Sequence, residues 1–403
     1  LKTKTEELTD SVAQEFKMKI GIIGCDIVGL GFALLCEQNG HDILISDKDE
    51  NFIYNLNQKI CLTNEPLIQS LLLDSKNLSG TTDNIEIVKN SDIIFTFVDT
   101  PPSVEDTYDT TKVFDVITNY FAASSLDILL YDKKFVVCST TNPGDVEQIQ
   151  KRLAMYSIKV AYNPPTVSLG NVIDGFKKSD VVIIGTEYDD LINELSVIYN
   201  QIKESTVHIY SMSIKSAEVT KIGINGFLAT KISYANMIGE LMNRMGIEKE
   251  INLVLNAIGG DSRIGTKYFK YGLGFGGPSI PKANRALIKY SKDLNLNTSI
   301  PSSVKEYNDH HIEFLKQQYI QLNPDKSIPF IFDNLGFKKG IQTFDESQQM
   351  KLCIGLLTEG YLIYVYTPNE MLKQLSELSD SYDNRLKFLK QGINPQGYKI
   401  NLQ

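Results

Sequence analysis

Histidine is scarce in this chain of 403 residues: His41, His208, His310 and His311 are the whole set. A histidine-rich metal site is therefore not expected. Cysteine is limited to Cys25, Cys36, Cys61, Cys138 and Cys353. An odd number with no CxxC pair gives neither a disulfide framework nor a zinc site, and reads as reduced, buried thiols in a cytoplasmic protein. No apolar run reaches membrane-spanning length, and no apolar signal core stands near the N-terminus, so neither membrane insertion nor secretion is expected. Clusters of Lys and Arg are missing as well. With a net charge of −9, nucleic acid and anionic membranes are poor candidates as partners. Low-complexity segments and close internal repeats are also absent.

What is present fits a folded protein of two or three domains, with 42% apolar and 22% charged residues. Residues 1–17 precede the segment Met18-Lys19-Ile20, which looks like a domain start. Leu8, Val12 and Phe16 repeat every fourth residue there, as on one face of a short helix. That face docks on the body or on a neighbouring subunit, or the segment is a loose leader; the spacing does not decide. From Lys19 onward strands and helices alternate. Lys19–Gly24 reads as a strand, Ile27–Gln38 as a helix and Asp42–Ser46 as the second strand. Further strands are expected at Asp92–Val98, Lys134–Cys138, Lys159–Tyr162 and Val181–Ile184. Such alternation predicts a Rossmann-type, doubly wound parallel sheet in an N-terminal α/β domain, residues 18–205. A long helix from about Ser213 to Met245, with Ile222, Leu228, Ile232, Met237 and Leu241 as its apolar residues, forms the bridge of a central helical region, residues 206–300. A smaller Rossmann-like α/β domain, residues 301–403, follows. Its helices are expected at His310–Tyr319 and Ser347–Leu357, and its strands at Ile328–Asp333 and Leu362–Tyr366.

The first strand runs into Gly24-Cys25-Asp26-Ile27-Val28-Gly29, where a Rossmann fold places G-x-G-x-x-G. The second strand ends at Asp47, the place of the acid that takes the ribose hydroxyls of NAD. The middle glycine is replaced by Asp26. That glycine lets the backbone approach the pyrophosphate, which rests on the helix N-terminus. A carboxylate there is able to cap the helix itself and repel phosphate, at a cost on the order of a few kcal/mol. Two outcomes remain open: NAD binding is badly weakened, or the loop shifts and NAD still binds.

Further motifs carry a resemblance. They are Val98-Asp99-Thr100-Pro101-Pro102; Ser139-Thr140-Thr141-Asn142-Pro143-Gly144; and Asn163-Pro164 followed by Gly170 and Asp174. Ala217-Glu218, Lys221, Asn225, Leu228-Ala229, Lys231-Ile232-Ser233 and Asn236 follow along the central helix. Asp261-Ser262-Arg263-Ile264-Gly265, Gly274-Phe275-Gly276-Gly277 with Pro281-Lys282, Gly336-Phe337-Lys338 and Glu346-Ser347 complete the set. In this order the chain, from Met18 on, resembles the UDP-glucose/GDP-mannose dehydrogenase family. The resemblance implies oxidation of the C6 hydroxyl of a nucleotide sugar, most naturally a UDP-hexose, to a carboxylate with two NAD. In that chemistry a cysteine thiolate traps the aldehyde, and water cleaves the resulting thioester. It also implies a homodimer formed through the central helix.

Carried over residue by residue, the resemblance implies that Lys221 and Asn225, one helical turn apart, hold the reacting hydroxyl and stabilise oxyanion charge. Thr100 and Thr140 fall beside the cofactor, and Thr140 also at the reacting centre. Arg263 contacts the sugar nucleotide, and Gly274, Phe275, Gly276 and Gly277 approach the sugar. Lys282 and Lys338 neutralise phosphates. Each has a blander reading, as a turn residue, a flexible loop or a solvated charge. The departures weigh against activity. Ser279 stands in the position of the nucleophilic cysteine, with no histidine near in sequence to activate it. Ala283 replaces the acid after Pro281-Lys282, Pro165 the acid of N-P-E, and Leu169 a further acid before Gly170. Thr343 and Asp345 stand where the C-terminal signature has Asp and Arg. Two readings follow. One is a catalytically degenerate dehydrogenase that keeps a nucleotide-sugar pocket and serves binding or assembly. The other is an NAD-dependent oxidoreductase limited to a single alcohol–aldehyde hydride transfer, which needs no thiol.

Overall fold

Apolar stretches closed by turn residues become the inner strands of a large sheet. The computed structural model describes residues 16–118, 133–204, 208–338, 341, 343–366, 372–390, 392–393 and 395–400; the helix face expected at Leu8 and Val12 lies outside them. Contacts divide the chain into two units, Leu1–Lys221 and Ile222–Gln403.

In the first unit the described elements are β1 (Lys19–Ile23), α1 (Ile27–Gln38), β2 (Asp42–Ser46), α2 (Glu50–Asn57), α3 (Ile68–Asp74), β3 (Leu78–Thr81), α4 (Asn84–Asn90), β4 (Ile93–Thr96), α5 (Thr111–Thr118), β5 (Lys134–Val137), α6 (Asp145–Leu153), β6 (Lys159–Tyr162), α7 (Val172–Lys177), β7 (Val181–Gly185), α8 (Asp189–Ile202) and β8 (His208–Met212). The sheet order is β3-β2-β1-β4-β5-β6-β7-β8. Neighbours are parallel except β6 and β7, which meet through one antiparallel pair, Tyr162 and Gly185. Connections diverge on either side of the β1–β4 junction, which leaves a crevice beyond the carboxyl ends of those strands. α1 is apolar on most sides and buried from Gly29 to Cys36, as expected of an interior helix. Its Phe32 ring lies 4.8 Å from Phe95, 5.6 Å from Phe176 and 6.0 Å from Tyr199. Burying such a ring contributes roughly 2–3 kcal/mol, so α1 is fixed tightly against the sheet and the turn before it is fixed with it.

α9 (Ile214–Arg244) starts in the first unit and runs into the second. Its exposed apolar residues Phe227, Tyr234, Met237 and Leu241 recur at helical spacing on one face, and Met245, just past its end, is exposed as well. Ile222, Ala229, Ala235 and Met242 are buried on the other side. There follow α10 (Ile251–Gly260), α11 (Ile280–Asp293), α12 (Ser299–Leu322), β9 (Phe330–Phe332), α13 (Gln348–Thr358), β10 (Ile363–Tyr366), α14 (Leu372–Asp380), β11 (Leu386–Leu389) and β12 (Tyr398–Ile400). The four strands form a parallel sheet in the order β11-β10-β9-β12. Phe330, Phe332, Leu352, Leu356, Tyr361, Ile363 and Val365 make its core. The helix read at His310–Tyr319 is longer, because Pro301 sits in its first turn, where a missing N–H costs nothing. Among the described residues no helix is long and apolar enough to cross a membrane.

Candidate functional site

The turn after β1 is built by steric necessity. Gly24 has φ +70, and a Cβ there would lie 2.3 Å from Val98 Cγ1. The next residues lead into α1, where Asp26 is the N-cap and its Oδ1 accepts the Gly29 N–H at 2.7 Å. Ile27 and Val28 form the first turn. Packed protein around the Asp26 carboxyl raises its pKa to about 6, against the lowering by the Gly29 and Val28 amides and with a further rise from Asp99. The residue keeps an exposed face, and solvent there screens the effect. Asp47, at the end of β2, accepts the Cys25 N–H at 3.0 Å and the Asp49 N–H at 2.9 Å. The Asp47 carboxylate at the end of β2 thus already accepts two backbone amides, and the Gly29 amide at the start of α1 is bonded to the Asp26 carboxylate.

Next to this turn lies a second one. Thr100 Oγ1 donates to the Thr140 carbonyl at 2.9 Å, and Ser139 Oγ donates to the Val98 carbonyl at 2.6 Å. Thr140 is thus tied to the loop after β4. The turn closes at Gly144, the N-cap of α6, with φ +103 and no side-chain cap of its own. The cap comes from α9: the fully buried Glu218 carboxylate accepts the Gly144 N–H at 2.6 Å, the Val146 N–H at 3.0 Å and the Thr141 hydroxyl at 3.0 Å. Burial raises its pKa to about 7, opposed by those same three donors. One turn further along α9, the buried Lys221 Nζ donates to the Pro165 carbonyl at 2.6 Å. Burial lowers its pKa to about 8. The position that carries an acid in the family thus offers Lys221 only a backbone oxygen. Asn225 follows one turn on, and its buried side-chain N–H₂ has no partner among the described residues. A buried orphan donor costs about 1–3 kcal/mol, a cost a polar ligand oxygen removes. A further remote cap comes from the buried Glu65, which accepts the Gly170 and Val172 amides at the start of α7, beside Leu169.

In the second unit the Gly274–Gly277 loop packs on the C-terminal signature. A Cβ at Gly276 would lie 2.4 Å from the Glu346 carbonyl. The Gly277 N–H donates to the Asp345 carbonyl at 3.1 Å. Phe275 is held through both backbone groups by Asn308, at 2.8 and 3.0 Å. Arg285 pairs with Glu346 at 2.8 Å. Ser279 is exposed at the N-cap of α11 and makes no capping bond with its side chain. Lys282 and Ala283 are buried in the first turn of that helix. Lys338 is exposed. Arg263 is exposed and pairs with Asp261 at 2.6 Å; that turn is anchored to α9 by Lys231, which donates to the Ile264 and Gly265 carbonyls at 3.2 and 3.1 Å. Among the described residues no cluster of three His, Cys, Asp or Glu is able to hold a metal ion.

Several organising residues escape a reading of the sequence: Glu65, Asn308 and the pair of buried His311 with half-buried Glu240. Glu218 was visible only as a letter in a motif. Nothing local marks any of them as a cap or clamp.

Residues 18–203 match the NAD binding domain, and residues 215–310 the central domain, of the UDP-glucose/GDP-mannose dehydrogenase family. The chain is 27% identical over 365 residues to a UDP-glucose 6-dehydrogenase of Pseudomonas aeruginosa, covering 87% of this chain and 79% of that protein. It is 28% identical over 366 residues to one of Haloferax volcanii, covering 87% and 83%. The structure of a UDP-glucose dehydrogenase from the hyperthermophilic archaeon Pyrobaculum islandicum superposes with a TM-score of 0.82 at 27% identity, covering 93% of this chain and 86% of that one. With its NAD-binding Rossmann unit, its long central helix and its second parallel sheet, this chain belongs to the UDP-glucose/GDP-mannose dehydrogenase family.

Proposed function

We propose that this protein is a catalytically impaired member of its family. In this reading it binds a nucleotide sugar, most naturally a UDP-hexose, binds NAD weakly, and does not complete the four-electron oxidation. The observation that carries the reading is the Asp26 carboxylate on the Gly29 amide, an anion seated where a phosphate must rest. Ser279 supports it: a hydroxyl without a positioned base is a poor nucleophile, and the acids that would manage protons and water are replaced by Pro165 and Ala283. The protein serves as a cytoplasmic binding or assembly component. The exposed stripe Phe227, Tyr234, Met237 and Leu241 on α9 supports a homodimer through that helix, with residues 206–300 as the dimerisation region.

Calorimetric titration of the purified protein with NAD and with UDP-glucose tests this directly. UDP-glucose binding with NAD binding weaker than millimolar is the expected result. Conversion of UDP-glucose to its uronic acid at an ordinary enzymatic rate would sink the proposal. A second reading rests on Lys221 and Asn225. A desolvated amine and an unpartnered amide one turn apart suit a single exchange between alcohol and aldehyde, with Lys221 and Asn225 orienting the hydroxyl and Lys221 exchanging its proton. Submillimolar NAD binding, together with NADH formation that stops at the aldehyde, would select this reading.

A further inference from the structure

Side chains from three helices grip the loop that carries the Gly274–Gly277 motif. Asn236 on α9 accepts the Gly272 N–H at 3.0 Å and donates to the Leu273 carbonyl at 3.2 Å. Asn308 on α12 binds both backbone groups of Phe275, and Gln348 on α13 donates to the Phe275 carbonyl at 3.1 Å. The last grip runs through a histidine. His311 on α12 is buried, its Nε2 lies 2.7 Å from the Gly272 carbonyl, and its Nδ1 lies 2.5 Å from the Glu240 carboxylate on α9.

A carbonyl oxygen only accepts, so Nε2 must carry a proton. The second proton lies between Nδ1 and Glu240. Burial pushes the Glu240 carboxyl up, but the hydrogen bonds from His311 and Tyr307, with smaller electrostatic contributions, together turn the net shift downward and favour its ionised form. The other titratable groups around the ring do not supply a competing charge at close range. Tyr271 stands edge-on at 5.9 Å and Tyr307 stacks at 6.1 Å, both phenols pushed upward by burial and so neutral. His310 points from an exposed position. Arg244 lies over the Phe314 ring at 5.4 Å from its centroid.

We propose that His311, held as an imidazolium between Glu240 and the Gly272 carbonyl, is a positioning residue that keeps the Gly272–Gly277 loop in the form that receives a nucleotide sugar. A neutral ring has one N–H for two acceptors, so loss of the charge releases one end of the grip. The ligand arm of this inference rests on the function proposed above; the loop arm does not.

The test uses the full-length protein. Nitrogen-15 shifts of the His311 ring near pH 7 are expected to show both nitrogens protonated. In His311→Gln, hydrogen exchange at Gly272 and Phe275 is expected to be about tenfold faster, as for the loss of ~1.4 kcal/mol. Core amides such as Phe332 keep their protection. UDP-glucose affinity is expected to fall by a similar factor. If His311→Gln does not fold, Glu240→Gln is read in the same way, since it removes the anion that holds the second proton. A neutral ring in the parent protein, or loop exchange unchanged in the variant that folds, overturns the proposal. A parent protein that binds no UDP-glucose overturns only the nucleotide-sugar reading, and loop exchange still decides the role of His311.

Discussion

Two helices follow strands of the large sheet, α1 after β1 and α6 after β5, and each N-terminus is stopped by a carboxylate. At α1 the acid is local: Asp26 caps its own helix through Gly29. At α6 the acid is remote: Glu218, from α9, takes the Gly144 and Val146 amides. The physics is the same, an anion against unpaired N–H groups and the positive end of a helix dipole. The consequences are opposite. Glu218 completes the turn and ties its Thr140 segment to the helix that bears Lys221. Asp26, in the proposed reading, fills the position a cofactor phosphate needs. Whether a capping acid builds a site or blocks it depends on what else competes for the same amides.

Removing the remote cap should have the largest effect. Glu218→Ala leaves the Gly144 and Val146 amides and the Thr141 hydroxyl without this acceptor, and should cost about 3 kcal/mol or more in urea unfolding. Asp26→Gly should cost only a few tenths of a kcal/mol on the same measurement, because glycine is a tolerable N-cap. Equal losses from the two changes would erase the contrast. The pH dependence sharpens it. Glu218 has its folded pKa raised from 4.5 to about 7, so the folded state holds this proton more tightly than the unfolded one. Its contribution to stability is greatest below pH 4.5 and is lost as pH rises through 7, about 3 kcal/mol for the full shift. Glu218→Gln should flatten the stability profile between pH 5 and 8; an unchanged slope would assign the titration elsewhere.

At the local cap the readout is affinity. Asp26→Gly should raise NAD affinity about tenfold or more at pH 8, corresponding to ~1.4 kcal/mol of relieved repulsion. The gain should shrink below pH 6, where the Asp26 carboxyl becomes neutral. An affinity that does not change on titration would mean that Asp26 is not the obstacle. A third terminus gives the smallest effect. α3 begins after Leu67, which has φ +69 and provides no side-chain cap. A leucine is strained in that left-handed conformation, so Leu67→Gly should stabilise the protein by about 0.5 kcal/mol after the entropic cost of glycine. A loss of stability on thermal unfolding would contradict that estimate.

Much of the fold was legible because its signals are local. The strand Asp42–Ser46 and the helix Ile27–Gln38 have the bounds read from the sequence, and α9 spans Ile214–Arg244 within the stretch read as Ser213 to Met245. β3 and β8 were not read. Both are sheet edges with half-exposed sequences, Leu78–Thr81 and His208–Met212, and an edge strand needs little apolar patterning. For the site, the substitutions at Asp26, Pro165, Ser279 and Ala283 were visible as departures from a motif. The partners of Lys221 and Asn225 were not, because a backbone carbonyl from Pro165 and an orphan amide are products of packing. Glu65, Glu218 and the His311 clamp escape for the same reason: periodicity reports which face a residue occupies, and says nothing of a cap supplied from another part of the chain.

The hold of Glu218 on Gly144 joins residues 74 positions apart. A turn completed by so distant a group must wait in folding for the long helix to dock, since closing that span carries its entropy before any contact repays it. The Gly144 and Val146 amides should therefore gain protection late, after the strands that flank them, when refolding is followed by pulsed hydrogen exchange. Early protection there, before α9 docks, would show that the turn forms without its distant anchor.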